Sequence, residues 1–521
     1  MRSTTTIDPP TLTELSSIAA ENNPARAAFG NGIDGDVVTW AEFDEDGARA
    51  ANAIRDHAGQ GDRVAFLCEG SVEHTTLWNG ALKAGCIVSN LHVRASPNTI
   101  RDCIDSLRPQ VLVVDEETSV LFETKVRESI TTDLGAVVST GQAATDYEHS
   151  YRDFLADRPA TDPDVRVRPD DTAVVMWTSG TTGKPKGWCN SHRGLAMRGL
   201  KLAHTKGADR LSNLPNVFTP SFAAWYSTVL PAMVTNASTY FLRSWDPETY
   251  VELIQERSIT SCNLVPTMWR EILRLDDLDE YDLTSLVNIQ SAGEALDRTT
   301  LERLRENICD EVWQSYAATE AVGTAISHVE MDGDRIESVG KPMVGTRVRV
   351  VERGGSSEDV LPPGELGEII LKSSDSATWV WGNTPKTEST FEDGWWFSGD
   401  LGYKDEEGYL FIEGRDDNMI ISKGIKVFPT PVEERLNAHP DVVESAVFGV
   451  SDEEYGEMVT AYVQRSNVDL TAADLDQWCL DSDDLSRIER PREYHFTEEE
   501  LPRTASDKLD RKSLQRQVNS E

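Results

Sequence analysis

Hydrophobic residues along the first 170 residues form two kinds of pattern, helical spacing and short continuous runs, which alternate along the chain. Residues 41–58 place apolar side chains at helical spacing, whereas residues 62–70, 85–91 and 110–117 are short apolar runs bounded by turn residues. Strands that alternate with helices in this manner are typical of a parallel α/β sheet. The pattern therefore predicts an α/β fold for this part of the chain.

The alternation continues past the middle of the chain and then changes character. It predicts helices near 191–204 and 247–258 and strands at 237–242 and 261–265. From about residue 345 short strands and turns dominate, which indicates a β unit, and a mixed α+β segment follows from about residue 415. We expect a large domain at 1–414, built from parallel α/β subdomains plus the β unit, and a small mobile α+β domain at 415–521.

The charge of the chain is strongly acidic, with 89 Asp and Glu residues against 50 Lys and Arg residues and a net charge of −39. The acids are scattered among apolar segments, so we expect a folded protein with an acidic surface of the kind found in salt-adapted (halophilic) organisms. Such a surface repels nucleic acid and anionic membranes, and we expect neither as a partner. Lysine is scarce, with 14 residues in the chain.

Membrane and redox signals are absent from the sequence. There is no apolar run of 18 residues and no apolar signal region at the start, so we expect no membrane span. The seven cysteines are widely spaced and include no CxxC pair, which favours neither a zinc site nor a disulfide framework. These features predict a cytoplasmic protein.

The segment TSGTTGKPKG at 178–187 has the composition of a phosphate-binding loop. It follows an apolar run and supplies hydroxyls, backbone amides and ammonium groups. The spacing excludes a Walker-type loop, since Thr178 stands where that loop has its first glycine and Pro185 where it has a metal-binding hydroxyl. The alternative is a surface turn between a strand and a helix.

Four further segments follow in a fixed order: SAGEAL at 291–296, QSYAATE at 314–320, the glycine-rich stretch at 395–429, and LPRTASDKLDR at 501–511. Together with the loop at 178–187, they give the chain a resemblance to the adenylate-forming superfamily of acyl-CoA synthetases, firefly-type luciferases and peptide-synthetase adenylation domains. The resemblance extends from about residue 15 to 515.

The resemblance implies that a carboxylic acid attacks the α-phosphorus of ATP and that a thiol then attacks the acyl-adenylate. It implies Mg²⁺ held by Thr181 and Glu320, whose oxygen atoms suit a hard cation. The residues implied for the β- and γ-phosphates are Thr178, Ser179, Gly180, Thr181, Thr182, Gly183 and Lys186. The residues implied for the adenine slot are Gly293, Glu294, Ala295, Gln314, Ser315, Tyr316, Ala317, Ala318 and Thr319.

The same resemblance assigns roles near the C-terminus. Asp400 is the expected ribose ligand, and Arg415 is expected to reach the ribose or the phosphates. Lys508 is the expected catalytic lysine of adenylation, although Asp507 replaces the glycine that precedes it in the family. The C-terminal domain of the family rotates between half-reactions, which places a hinge at Asp417. After rotation, the CoA path is expected to include Lys423, Gly424 and Lys426.

The acyl pocket is expected along residues 219–228. Ala223 stands where many acyl and aryl ligases have His and where adenylation domains have an Asp for the substrate amine, which argues against an α-amino acid. Phe222, Trp225 and Tyr226 are candidate wall residues, although apolar aromatics are more often core.

The predicted function is that of an AMP-forming acyl-CoA synthetase acting on a fatty or other non-amino acid, with ATP, Mg²⁺ and CoA as cofactors, in a monomer or homodimer. Two alternatives stay open at this point. One is an adenylating enzyme that loads a carrier protein (or, on the luciferase pattern, emits light), and the other is a non-catalytic nucleotide-binding protein on the same fold.

Overall fold

The computed structural model describes residues 10–141, 148–178, 185–293, 296–320, 326–328, 338–452, 454–482, 485–503 and 509–519. These residues divide into two compact units. The first holds the chain up to Arg347 together with Leu371–Trp396, and the second holds Val348–Ile370 and the chain from Phe397 onward. The predicted boundary between domains 1–414 and 415–521 lies at the expected hinge, whereas the two compact units are divided by their internal contacts. The predicted domains stay a prediction.

Numbered along the chain, the helices of the described residues are α1 Leu12–Asn22, α2 Trp40–Ile54, α3 Val72–Lys83, α4 Pro97–Leu107, α5 Glu116–Leu121, α6 Tyr151–Leu155, α7 His192–Lys206, α8 Tyr226–Thr235, α9 Pro247–Glu256, α10 Pro266–Ile272, α11 Arg298–Asn307, α12 Thr384–Thr390, α13 Pro429–Asn437, α14 Ala472–Leu480 and α15 Arg511–Val518. Across the described ranges, none of these helices has the length and hydropathy needed to cross a bilayer.

The strands of the same residues are β1 Ala27–Asn31, β2 Val37–Thr39, β3 Arg63–Leu67, β4 Ile87–Asn90, β5 Val111–Val114, β6 Ala136–Ser139, β7 Glu148–Ser150, β8 Thr172–Thr178, β9 Lys186–Ser191, β10 Asn213–Asn216, β11 Ser238–Phe241, β12 Ser261–Leu264, β13 Asn288–Ala292, β14 Val312–Tyr316, β15 Ile326–His328, β16 Ser338–Pro342, β17 Arg347–Val351, β18 Gly367–Lys372, β19 Trp379–Val380, β20 Phe391–Glu392, β21 Trp395–Lys404, β22 Leu410–Arg415, β23 Ile420–Ser422, β24 Ile425–Val427, β25 Val442–Asp452, β26 Gly456–Arg465 and β27 Glu493–Thr497.

In the first unit, an eight-stranded sheet runs in the order β19-β9-β8-β4-β3-β5-β6-β7. The strands β3, β4, β5 and β6 are parallel, as their alternation with helices predicts. A smaller sheet has the order β10-β11-β1-β2, and β12, β13 and β14 form a second parallel set. The prediction of an α/β fold is confirmed.

Helices α2 and α3 pack closely because small residues face each other. A Cβ atom placed on Gly80 would lie 2.4 Å from the Cβ of Ala50, and one placed on Gly47 would lie 2.6 Å from Asn79 Nδ2. Helix α2 starts at a capping box in which Thr39 and Glu42 exchange hydrogen bonds. The α2–α3 contact adjoins a core that contains the fully buried Trp78, and burial of a large apolar side chain contributes about 2–3 kcal/mol.

The second unit contains two groups of strands. In one group β21 pairs antiparallel with β22, and β18 lies next to β17. The other group is a five-stranded sheet with the order β24-β23-β26-β25, in which β27 also pairs with β26. Helix α13 packs on β25, where Val432 and Leu436 join Val447 in a buried cluster. The prediction of a β unit followed by an α+β segment describes these two groups.

Candidate active site

The predicted phosphate loop closes a hairpin rather than joining a strand to a helix. β8 ends at Thr178 and β9 begins at Lys186, and these two residues are directly opposite each other in the antiparallel pairing. Trp188 Nε1 donates to Thr178 Oγ1 over 2.9 Å, which fixes one side of the loop's neck. Residues 179–184 lie outside the described residues, so the roles of Ser179, Gly180, Thr181, Thr182 and Gly183 stay predictions.

Lys186 is partly buried at this neck and lies among other charged groups. Burial lowers its pKa, the ammonium of Lys386 lowers the pKa further, and the carboxylate of Glu320 opposes both effects. The three groups are therefore close enough to interact. A polyphosphate bound beside Lys186 would interact favourably with both ammonium groups.

Glu320 belongs to a backbone segment that buried charges hold in place. Its carbonyl oxygen accepts from the Ala377 amide over 2.8 Å. Two residues before Ala377, the carboxylate of Asp375 lies 2.6 Å from Lys201 Nζ, and the Asp375 carbonyl accepts from Arg198 Nη2 over 2.9 Å. Both cations lie on α7 and are buried, so helix α7 fixes the chain beside Glu320. Removal of one partner from a buried ion pair typically costs about 3–5 kcal/mol.

The oxygen donors predicted for Mg²⁺ are suited to that ion. The Glu320 carboxylate raises the pKa of Lys186, which lies at the neck of the loop that carries Thr181. Thr181 itself lies outside the described residues. The described half of the donor set therefore fits a magnesium ion that neutralises phosphate charge, and the ion stays a prediction.

The predicted adenine slot lies where two parallel strands end. Ser291 is opposite Gln314 and Ala292 is opposite Ser315, so Gly293 follows β13 at the level where β14 ends. Gly293 has φ +96°, a backbone conformation that residues other than glycine rarely adopt. Within the described part of the chain, the buried Ser291 Oγ and Gln314 Oε1 have no hydrogen-bond partner.

The other predicted slot residues follow the end of β14. Tyr316 and Thr319 are half-buried and Ala317 is exposed, whereas Glu294 and Ala295 lie outside the described residues. Unpartnered buried polar atoms are costly in a folded protein, and a polar ligand such as a nucleobase would provide partners. The adenine slot stays a prediction.

The predicted acyl-pocket residues fall into two groups. Phe222 and Ala223 are half-buried, whereas Trp225 and Tyr226 are fully buried in the core. The Tyr226 hydroxyl accepts from Asn90 over 3.0 Å, and the Trp225 ring packs edge-on against the ring of His74 at 5.2 Å.

These contacts belong to the buried core, so Phe222 and Ala223 are the better candidates for direct contact with a substrate. His92, whose ring lies 4.9 Å from the Phe222 ring, is a neighbour that the sequence pattern did not indicate.

Three predicted residues of the second unit lie together. Arg415 Nη1 donates to Asp400 Oδ1 over 3.2 Å, and Arg415 Nε donates to Asp417 Oδ1 over 3.2 Å. Asp417 lies in the short turn between β22 and β23, which belong to different groups of strands. A turn between two sheets is a suitable position for a hinge, and the hinge at Asp417 stays a prediction.

The predicted CoA-binding lysine lies at the tip of a tight hairpin. Lys423 and Gly424 connect β23 to β24 and both have positive φ, +49° and +80°, as a two-residue hairpin turn requires. Lys423 Nζ lies 2.7 Å from Glu454 and 4.1 Å from the centre of the Tyr455 ring. Exposed ion pairs of this kind contribute little to stability, so the ammonium is available to an anionic ligand.

The catalytic lysine prediction concerns a residue that the structure does not describe. Lys508 and Asp507 lie outside the described residues, while Arg503 and Leu509 on either side form an isolated antiparallel bridge. Lys426, the last of the predicted CoA-binding residues, is exposed on β24 opposite Ile421.

Comparisons with known proteins assign the family. Residues 17–378 match the AMP-binding enzyme family, and residues 431–508 match the AMP-binding enzyme C-terminal domain. A fatty acid–[acyl-carrier-protein] ligase, ScoC, from Streptomyces coeruleorubidus is 29% identical over 522 residues, covering 97% of this chain and 96% of that protein. A 4-chlorobenzoate–CoA ligase from Arthrobacter sp. is 33% identical over 354 residues, covering 67% of this chain and 66% of that protein.

A solved structure has the same fold over nearly all of its length. ATP-bound MatB from Rhodopseudomonas palustris superimposes with a TM-score of 0.85 at 26% identity, covering 98% of this chain and 99% of that chain. The family match covers more than half of this chain, and the predicted motifs fall inside it or follow it in order. The chain belongs to the AMP-binding enzymes of the adenylate-forming superfamily, and it is an acid–thiol ligase.

Proposed function

We propose that the chain is an AMP-forming acyl-CoA synthetase that converts a non-amino carboxylic acid, ATP and CoA to acyl-CoA, AMP and pyrophosphate. The observation that carries the proposal is that Lys186 lies at the neck of the loop at 178–187 and interacts there with the carboxylate of Glu320. A cation and a carboxylate at a loop rich in hydroxyl groups suit a magnesium-bound polyphosphate.

The first half-reaction joins two anions, so its barrier is lowered mainly by positioning and charge neutralisation. The substrate carboxylate attacks the α-phosphorus, the bond to the β-phosphate oxygen breaks, and pyrophosphate leaves. Lys186 and the loop neutralise the departing phosphates, and Asp400 accepts hydrogen bonds from the ribose hydroxyls. Lys508 is proposed to hold the carboxylate and the α-phosphate together, and a bound Mg²⁺ would supply further charge neutralisation.

In the second half-reaction, the thiolate of CoA attacks the acyl carbonyl and AMP leaves. Asp417 is proposed as the hinge about which the C-terminal domain rotates between the two half-reactions. The rotation would remove Lys508 from the site and bring in the hairpin that carries Lys423 and Gly424. The exposed Lys426 adds a second positive charge on the same hairpin. These two lysines would attract the phosphates of CoA in a chain whose net charge is −39.

The class of acid substrate is proposed from Ala223, a residue of the predicted wall of the acyl pocket. A methyl group at this position cannot bind a substrate ammonium group, so an α-amino acid is disfavoured. The named relatives act on a fatty acid and on 4-chlorobenzoate, respectively, and both are carboxylic acids without an α-amine. We propose a fatty or other non-amino acid for this chain.

A carrier protein is the second candidate for the thiol acceptor. The relative ScoC, which covers 97% of this chain, is named as a ligase for an acyl-carrier protein. The non-catalytic alternative does not fit a chain whose family consists of enzymes, and we do not pursue it.

The test is a panel of aliphatic, aromatic and amino acids incubated with the chain, ATP and Mg²⁺, with pyrophosphate release as the first readout. CoA and a phosphopantetheinylated carrier protein are then compared as acceptors, with AMP and the thioester as products. We expect a non-amino acid to support both steps with CoA. Pyrophosphate release with amino acids alone, or thioester formation on the carrier alone, would contradict the proposal.

A further inference from the structure

Helix α12 is held against the strand that begins with Lys186. β19 pairs with β9, with Trp379 opposite Cys189 and Val380 opposite Trp188. One residue later, the Trp381 amide donates to the carbonyl of Gly187 over 2.8 Å. The chain that leads into α12 is therefore bonded to the residue directly after Lys186.

Lys386 lies on the first turn of this tethered helix. Its amide donates to the Asn383 side chain, which caps the helix, over 3.1 Å. The next residue, Thr387, accepts from the amide of Val380 through its hydroxyl over 2.9 Å, and the Asn383 amide donates to the Val380 carbonyl over 3.1 Å, so both sides of the turn are fixed to β19. The hydrogen bonds thus set the position of Lys386 relative to β9 and to the neck of the loop.

The ammonium groups of Lys386 and Lys186 are close enough to repel each other. The charge of Lys386 is one of the two causes that lower the pKa of Lys186, after burial. Glu320 is the described group that opposes this effect. An anion that reaches both ammonium groups would reduce this repulsion.

We propose that Lys386 is a second phosphate-binding lysine, which acts with Lys186 on the β- and γ-phosphates of ATP and on the pyrophosphate product. This inference rests on the proposed use of ATP and adds a residue that the motif at 178–187 does not contain. In a chain with a net charge of −39, local cations are needed to attract a polyanion. A helix bonded to β9 carries one such cation to the loop.

The test compares Lys386→Ala, Lys386→Arg and the control Lys125→Ala. Lys125 is exposed and lies outside the β8–β9 neck, and its substitution changes the net charge by the same amount. Dissociation constants for ATP, pyrophosphate and AMP are measured by calorimetry at one salt concentration. AMP lacks the β- and γ-phosphates, so it serves as a ligand control within each variant.

We expect Lys386→Ala to weaken binding of ATP and pyrophosphate about tenfold and to leave binding of AMP within about twofold of the unmodified protein. Lys386→Arg should keep most of the affinity, and Lys125→Ala should change none of the three constants. Unchanged ATP and pyrophosphate affinity in Lys386→Ala would overturn the inference, and so would an equal loss for AMP. If the unmodified protein bound neither ATP, nor pyrophosphate, nor AMP, the proposed function itself would fail.

Discussion

The Asp400 carboxylate and the Arg415 guanidinium form an ion pair across two neighbouring strands, with Nη1 and Oδ1 3.2 Å apart. The two residues are directly opposite each other in the pairing of β21 with β22. The Asp400 side chain is 12% exposed and the Arg415 side chain is 46% exposed. The arginine therefore orients a nearly covered carboxylate while keeping much of its own surface accessible.

The orientation of Asp400 predicts a loss of ribose recognition when the carboxylate is removed. We expect Asp400→Ala to weaken ATP binding by about 10- to 100-fold, because a hydrogen bond to a charged group contributes about 1.5–3 kcal/mol. The matched control is 2′,3′-dideoxy-ATP, which has no ribose hydroxyls to donate. The variant and the unmodified protein should bind this analogue equally well. A similar loss for both nucleotides would mean that Asp400 supports the fold rather than the ribose.

Substitution of Lys508 should separate the two half-reactions. We expect Lys508→Ala to slow acyl-adenylate formation by about 10²–10³-fold, since it removes the donor proposed to stabilise transition-state charge. The rate of thioester formation from a supplied acyl-adenylate should stay close to that of the unmodified protein. The measurements are pyrophosphate release for the first step and acyl-CoA formation for the second. Near-normal pyrophosphate release would show that another residue has this role.

Substitution of the predicted hinge should have the opposite bias. Proline restricts φ to about −65°, so Asp417→Pro should block a change of backbone angles between the steps. We expect adenylation to persist and thioester formation to be lost. Asp417→Ala, which removes the contact with Arg415 but leaves the backbone free to rotate, is the control and should retain both steps. Equal loss of both steps in the proline variant would place the hinge elsewhere.

Two buried histidines predict a dependence of stability on pH. Burial lowers the pKa of His74 and of His192 from the ordinary 6.5 to about 4. Between these values the unfolded chain binds a proton that the folded chain does not, so the free energy of unfolding falls as the pH decreases from 6.5 to 4. Each histidine contributes a slope of up to about 1.4 kcal/mol per pH unit.

His74→Gln should therefore reduce the pH dependence of the free energy of unfolding in this window. Denaturant titrations at several pH values between about 5 and 6.5 measure the slope. His204→Gln, at an exposed position, is the control for the loss of a histidine side chain. The same slope in His74→Gln and in the unmodified protein would show that His74 is not buried in its neutral form.

The net charge of −39 predicts a dependence on salt. Repulsion between the acids should destabilise the fold in dilute buffer, and it should also repel ATP and CoA. At an ionic strength of about 1 M the screening length is about 3 Å, so both effects should be largely removed. We expect the thermal midpoint and the rate of AMP release to rise together as KCl is raised from about 0.1 to 2 M. Values that stay flat or fall would refute salt adaptation and leave the assignment of the ligase intact.

Much of the fold could be predicted from local pattern. The apolar runs that became β3, β4 and β5 are short and bounded by turn residues, and helix α7 has its Ser191 cap and Gly207 end in the sequence. Strand β9 was missed because its sequence, KGWCNS, has few strand-forming residues and acquires its conformation by pairing with β8. The pairing of β9 with β8 is a tertiary interaction, and the intrinsic strand propensity of the residues in β9 does not predict it.

The sequence by itself determined the family and its class of chemistry, because the order and spacing of the motifs are those of the adenylate-forming superfamily. The tertiary structure alone decided which of these residues meet. Asp400 and Arg415 are 15 positions apart and become neighbours through the register of two strands. Lys386 approaches Lys186 because hydrogen bonds attach the start of a distant helix to β9. Such contacts arise from the packing of the whole chain, and no local pattern of residues encodes them.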